Sequence, residues 1–205
     1  MSFFKNVALA AVFTVGATSS HAAVVSVFSD NTNSGAASEV RVTVEDSGVN
    51  QVDITLEVIS TNTGNIGDIR GFFFNLADFA GAGFYDGTGA DLTDGDFNTS
   101  NLGGGNNVNP LGPFDIGVEF GSPGIGSDDI QSTTWTLFSL GGATLSESSF
   151  FEQAGAVRLT SVGAAGSGRD GSSKVAGEFP VVPLPASALL LLGGLGGLMA
   201  LRRRK

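Results

Sequence analysis

Two runs of strict alternation constrain this chain more than any other feature. Val40, Val42 and Val44 interleave with Arg41, Thr43 and Glu45, and Val52, Ile54, Leu56 and Val58 interleave with Asp53, Thr55 and Glu57. A spacing of two puts the apolar residues of each run on one face of an extended strand and the polar ones on the other. The stretch between them contains Gly48 and Asn50, so the runs are expected to join as an antiparallel hairpin. A hairpin with one apolar face needs a second layer to cover it.

Further runs read as strands. FDIGVEF alternates, with Phe114, Ile116, Val118 and Phe120 expected inward. STTWTLFSL, from Ser132 to Leu140, and AVRLTSV, from Ala156 to Val162, read as strands. GDIRGFFFNL does not alternate, so Phe72, Phe73 and Phe74 point to a strand covered on both faces. Ser149-Phe150-Phe151-Glu152 fits a helix capping box, or a single turn ending at Gly155. Glycine-rich stretches, notably GTGADLTDGDFNTSNLGGGNNVNP and GSPGIGSDD, read as connectors. Short strands with Gly and Asn turns and almost no helix predict an all-β fold. The expectation is a single antiparallel β-sandwich, jelly-roll-like, over residues 23–180.

Charge removes whole classes of function. Between Ala23 and Pro185 the cations are Arg41, Arg70, Arg158, Arg169 and Lys174, against all twenty acidic residues, a net charge of −15. Such a body repels nucleic acid and anionic lipid, which require a basic face. With no cysteine there are no disulfides and no thiolate metal sites. Sixteen phenylalanines and many β-branched residues separate the chain from disordered spacers.

The two ends carry addresses. MSFFKNVALAAVFTVGATSSHAA has one early cation, Lys5, an uncharged apolar stretch and a small-residue exit. That is the layout of a secretory signal peptide over residues 1–22, cut after Ala22 or Ala23. His21, the single histidine, leaves with it, so Ser-His-Asp and Cys-His catalysis are closed to the mature protein. At the other end, residues 181–205 contain Val182-Pro183-Leu184-Pro185-Ala186, a run of 16 uncharged residues from Ala186 to Leu201, and Arg202, Arg203, Arg204 and Lys205. As a helix the run is about 24 Å long, short for a hydrocarbon core of about 30 Å. The basic cluster acts as a cytoplasmic stop under the positive-inside rule. Both ends give one topology, with the body outside and the tail tip inside.

A short proline motif, an apolar span and a terminal basic cluster, in that order, resemble the PEP-CTERM class of bacterial sorting signals in its VPLPA variant. Val182 to Ala186 match that motif letter for letter. The resemblance covers about the last twenty-five residues. It implies an exosortase-type membrane enzyme as partner, transient residence in the cytoplasmic membrane, and release or attachment at the cell surface, commonly beside exopolysaccharide. Two prolines fix φ and favour extended backbone, which a processing enzyme can grip. Gly193 and Gly197 stand at the spacing used by packed membrane helices, with small-residue filler as the plainer reading.

Within the body, chemistry is sparse, and no enzyme is expected. The adjacent pairs Glu45-Asp46 and Asp128-Asp129 would have to face each other across a sugar to act as a glycosidase, and sequence adjacency does not provide that. Asp86, Asp91, Asp94 and Asp96 crowd into YDGTGADLTDGDFN, a supply of oxygen ligands for calcium. Their spacing departs from the EF-hand loop, with Thr88 and Ala90 where oxygen donors belong, and an acidic solubilising loop is the competing reading. No obligatory cofactor is therefore expected. For carbohydrate, Tyr85 beside the aspartates is the better candidate, and Trp135 in a strand is expected in the core. The leading expectation is a non-enzymatic surface or matrix protein, structural or adhesive within exopolysaccharide. The alternative is a carbohydrate- or calcium-binding module delivered by the same tail.

Overall fold

The computed structural model describes residues 23–29, 35–109 and 111–181. The expected signal peptide, residues 1–22, and the expected sorting motif and basic stop, from Val182 to Lys205, lie outside the described residues. Ten strands form two five-stranded antiparallel sheets packed together. They are β1 Val24–Phe28, β2 Glu39–Gly48, β3 Gln51–Ile59, β4 Asn65–Phe74, β5 Tyr85–Gly89, β6 Leu92–Thr99, β7 Phe114–Phe120, β8 Ser132–Ser139, β9 Ala154–Ala164 and β10 Gly171–Glu178. The first sheet runs β1-β2-β3-β8-β5 and the second β10-β9-β4-β7-β6. Among the described residues no helix is long and apolar enough to cross a membrane.

The hairpin forms as the alternation requires. Val40 pairs with Val58, Val42 with Leu56 and Val44 with Ile54. Apart from Val58, which is half-buried, these side chains are fully buried. Each such aliphatic side chain contributes about 1.5–3 kcal/mol over leaving it in water. On the outward face Arg41 meets Glu57 as an ion pair and Thr55 meets Thr134. Asn50 takes the left-handed conformation in the turn, at φ 54°, which asparagine tolerates better than most residues.

β4 is the strand at which the two layers of packing meet. Ile69 and Phe72 both belong to the main core, although a separation of three cannot keep two side chains on one face of a regular strand. A register shift against β9 between Ile69 and Gly71 resolves the conflict, with Arg70 as the extra residue. Phe72 and Phe74 then point into the sandwich, their rings stacked at 4.8 Å. Phe74 continues to Trp135 at 6.1 Å and to Phe150 at 5.5 Å. Phe73 points the other way into a second, smaller cluster with Val108, Phe114 and Ala156.

A lid covers that cluster. Residues 100–109, read from sequence as part of a glycine-rich connector, fold with Leu111 over the outer face of the second sheet. Its own backbone hydrogen bonds hold it, with Leu102 N–H donating to the Asn106 carbonyl, Val108 N–H to Ser100 and Leu111 N–H to Val108. Asn106 Nδ2 donates to the Arg70 carbonyl at 2.7 Å. The lid sits so close that a Cβ on Gly71 would lie 2.5 Å from Asn106 Oδ1.

Three local expectations need correction. Phe114 was expected inward with Ile116, Val118 and Phe120, but it packs with Phe73 at 6.3 Å under the lid. The chain leaves the lid at that point, so the first side chain of β7 turns back onto the lid's floor. The capping box begins at Ser146, not Ser149, and starts a single 3-10 turn, Glu147–Phe150. The stretch GTGADLTDGDFN is not a connector, since it contributes to β5 and forms most of β6.

Candidate functional site

β5 and β6 are the last strands of their sheets on the same side of the molecule, joined through Ala90 and Asp91. Between them the two layers part and leave a cleft of about 390 Å3. Its floor comes from Trp135 and Leu137 of β8 and from Ile116 and Val118 of β7. Its rim carries Asp86 of β5 and Asp94 and Asp96 of β6, all exposed.

Trp135 shapes the site. It lies opposite Gly89 in the β5–β8 register, and its ring passes over Gly87. A Cβ would come within 2.7 Å of Trp135 Cβ at Gly89 and within 3.0 Å of Trp135 Cζ3 at Gly87. Glycine at both positions lets the indole lie against the β5 backbone. The indole is 1 % exposed, yet its Nε1 has no hydrogen-bond partner among the described residues. A buried donor left unpaired costs free energy until a ligand or water accepts from it.

Tyr85, expected in a loop, begins β5 instead. Its ring stacks on Phe79 at 5.5 Å and its hydroxyl accepts from Ala80 N–H at 3.3 Å. Phe79 also stacks on Phe97 of β6 at 6.2 Å, so these rings bridge the two edge strands at the cleft. Both aromatic candidates therefore line one site, Trp135 at its floor and Tyr85 at its end.

The aspartates are mostly engaged locally. Asp86, Asp94 and Asp96 each accept the backbone N–H of the next residue, at 2.8 Å. Asp91 accepts from Thr133 Oγ1 at 2.8 Å. Among the described residues no three acidic or histidine side chains converge as a metal-holding group. The adjacent acid pairs are also separately engaged. Asp46 accepts from Glu147 N–H and Asp128 from Ser122 N–H. Asp129 takes both Arg169 Nη atoms, at 2.6 and 2.7 Å, and this holds its carboxyl below the usual range.

The cleft residues missed from sequence are Leu92, Phe97, Ile116 and Val118. One signal was present: Tyr85, Gly87 and Gly89 stand at a spacing of two, a strand face stripped of side chains to admit a large neighbour.

The described residues thus define an all-β protein of two packed antiparallel sheets with a lateral cleft, apolar at its floor and acidic at its rim. Comparison with protein-family models, with curated proteins and with solved structures gave no match.

Proposed function

We propose that this chain is a non-enzymatic exported protein of the bacterial surface or extracellular matrix, and that its body holds a stretch of neutral glycan in the β5/β6 cleft. A signal peptide exports it, and an exosortase-type enzyme sorts and processes it through the Val182–Ala186 motif, the apolar span and the Arg202–Lys205 stop. The body is a jelly-roll-like sandwich in which the chain changes layer after β3, β4, β5, β7 and β8.

The observation that carries the binding role is the buried, unpartnered Trp135 indole N–H on an apolar floor rimmed by three carboxylates. Sugars present apolar C–H faces edged by hydroxyls. Such a face suits the half-buried Leu92 and Phe97 that line the cleft above Trp135, and the hydroxyls can donate to the carboxylate oxygens of Asp86, Asp94 and Asp96. A negatively charged sugar would be repelled at the same rim. The order of motif, span and cations supports the sorting role, and the absence of mature histidine and cysteine supports a non-catalytic one.

Two measurements test the reading. Neutral polysaccharides are titrated calorimetrically against wild type and against Asp94→Asn and Asp96→Asn, whose exposed side chains can change without disturbing the core. Binding at least tenfold weaker in the variants supports the cleft. Surface retention with no binding to any neutral glycan leaves the structural, adhesive role in its place. Intact-mass analysis of surface material tests the tail. A mature chain lacking Leu189 to Lys205 supports processing, and a chain that keeps them refutes it.

A further inference from the structure

Among the described residues, Arg158 has no acidic partner. Val157 and Leu159 belong to the main core, so Arg158 between them faces out from β9. Its Nη1 reaches only the Ser173 carbonyl, at a long 3.4 Å. Its Nε is buried and has no partner among the described residues, and none of the ion pairs found there involves it. Burial holds its pKa below the ordinary arginine value. A partly buried cation without a counterion is unfavourable, and more so where twenty carboxylates were available to pair with it.

Its neighbours sharpen the anomaly. Lys174 lies opposite Arg158 in the β9–β10 register and donates to Asn107 Oδ1 and the Asn109 carbonyl, each at 2.8 Å. Burial, then the Arg158 charge, lowers its pKa. Arg70 is committed to Glu119 at 2.7 Å and to the Phe120 carbonyl. Three of the body's five cations therefore gather here: Arg70 has a carboxylate, Lys174 has two short hydrogen bonds, and Arg158 has only the long contact to Ser173.

Arg158 and Arg70 line a pocket of about 180 Å3 with Gly104, Gly105, Asn106 and Thr160. The glycines bring the lid backbone to its edge without side chains. Asn106 is 5 % exposed, and its Oδ1 is buried with no donor among the described residues. The pocket thus offers a guanidinium whose Nε lacks an acceptor and an amide oxygen that lacks a donor.

We propose that this pocket binds an oxyanion bearing a neighbouring hydroxyl, the chemistry of an acidic sugar such as a uronate. The carboxylate takes the Arg158 fork and the hydroxyl donates to Asn106 Oδ1, so one ligand satisfies both groups. This site does not depend on the cleft. It would admit a charged residue of a polysaccharide that the acidic rim excludes.

The test is a titration of the full-length chain in mild detergent, observed through 15N-labelled arginine side chains. Sodium glucuronate, sodium sulfate and glucose are compared at constant ionic strength in chloride. Glucuronate is expected to shift the Arg158 Nε–H resonance saturably, with sulfate at least tenfold weaker and glucose silent. Arg158→Met should abolish the response with an unchanged circular dichroism spectrum. Arg158→Lys, which keeps the charge and provides a second chance of a folded protein, should weaken it about tenfold. No shift with glucuronate, or a melting response to glucuronate that is equal in wild type and Arg158→Met, overturns the site. Sulfate binding as tightly as glucuronate overturns the sugar assignment, because Asn106 would then play no part.

Discussion

Replacing Phe73 by alanine separates the two layers of packing that meet at β4. The ring is fully buried, yet it lies on the outer face of its sheet, covered by the lid, Phe114 and the small side chains of Ala154, Ala156 and Ala176. Truncating a buried phenylalanine costs about 3–5 kcal/mol. A loop settles onto a hole more readily than a sheet does, so the lower end applies here, about 3 kcal/mol. At roughly 2–4 °C per kcal/mol for a chain of this size, the melting temperature should fall by about 6–12 °C. Trp135, the single tryptophan, belongs to the main core and reports on global unfolding. Amide exchange at Asn106, Val108 and Leu111, whose N–H groups bond within the lid, reports on the lid alone. These amides should lose more protection than the global destabilisation explains, because the lid opens before the sandwich does. A fall of less than about 2 °C, or lid amides no faster than in wild type, would refute the reasoning, since an exposed surface ring would behave that way.

Other consequences are open to measurement. Gly89→Val places a Cβ 2.7 Å from Trp135 Cβ and 3.1 Å from its Cα. It should cost about 1–3 kcal/mol by overpacking and should shift the tryptophan emission as the indole is displaced. Arg70→Met strands Glu119 and should cost about 3 kcal/mol in urea unfolding, with Arg70→Met/Glu119→Gln recovering part of the loss. Two aspartates should give pH dependences of opposite sign. The hydrogen bonds from Arg169 lower the Asp129 pKa, so its stabilisation is present above 3.8 and is lost as pH falls through the folded value; Asp129→Asn should lose stability at pH 7 and match wild type in acid. Burial raises the Asp68 pKa, so stability is lost as pH rises from 3.8 through the folded value, and Asp68→Asn should gain on wild type from pH 3 to pH 7 in thermal melts.

What the sequence discloses follows from how each strand is buried. β2, β3, β7, β8 and β9 have neighbours on both edges, so their periodicity survives, and in FDIGVEF it fails only at Phe114, where the strand leaves the lid. β5 and β6 have one open edge and exposed residues such as Asp86, Asp94 and Asp96, which look like loop. β10 buries only Ser173 and Val175 among its eight residues. The lid hides for another reason. Leu102, Val108 and Leu111 follow no fixed spacing among Gly and Asn, and its one trace was the unbroken Phe72-Phe73-Phe74, which required cover on both faces. The cleft is invisible because it belongs to two edges that only the folded topology brings side by side. Arg158 reads as an ordinary outward residue of a strand, and only the folded register shows that the acid of its row, Glu119 beyond Gly71, is taken by Arg70.

β1 and β10 end their sheets on the flank opposite β5 and β6, and Ser26 Oγ donates across to the Glu178 carbonyl at 2.7 Å. The first and last strands of the sandwich are thus stitched together at one margin. The described chain thus enters and leaves the sandwich along one hoist, like a flag on its pole, and the Trp135 opening lies on the fly, the margin free of both attachments.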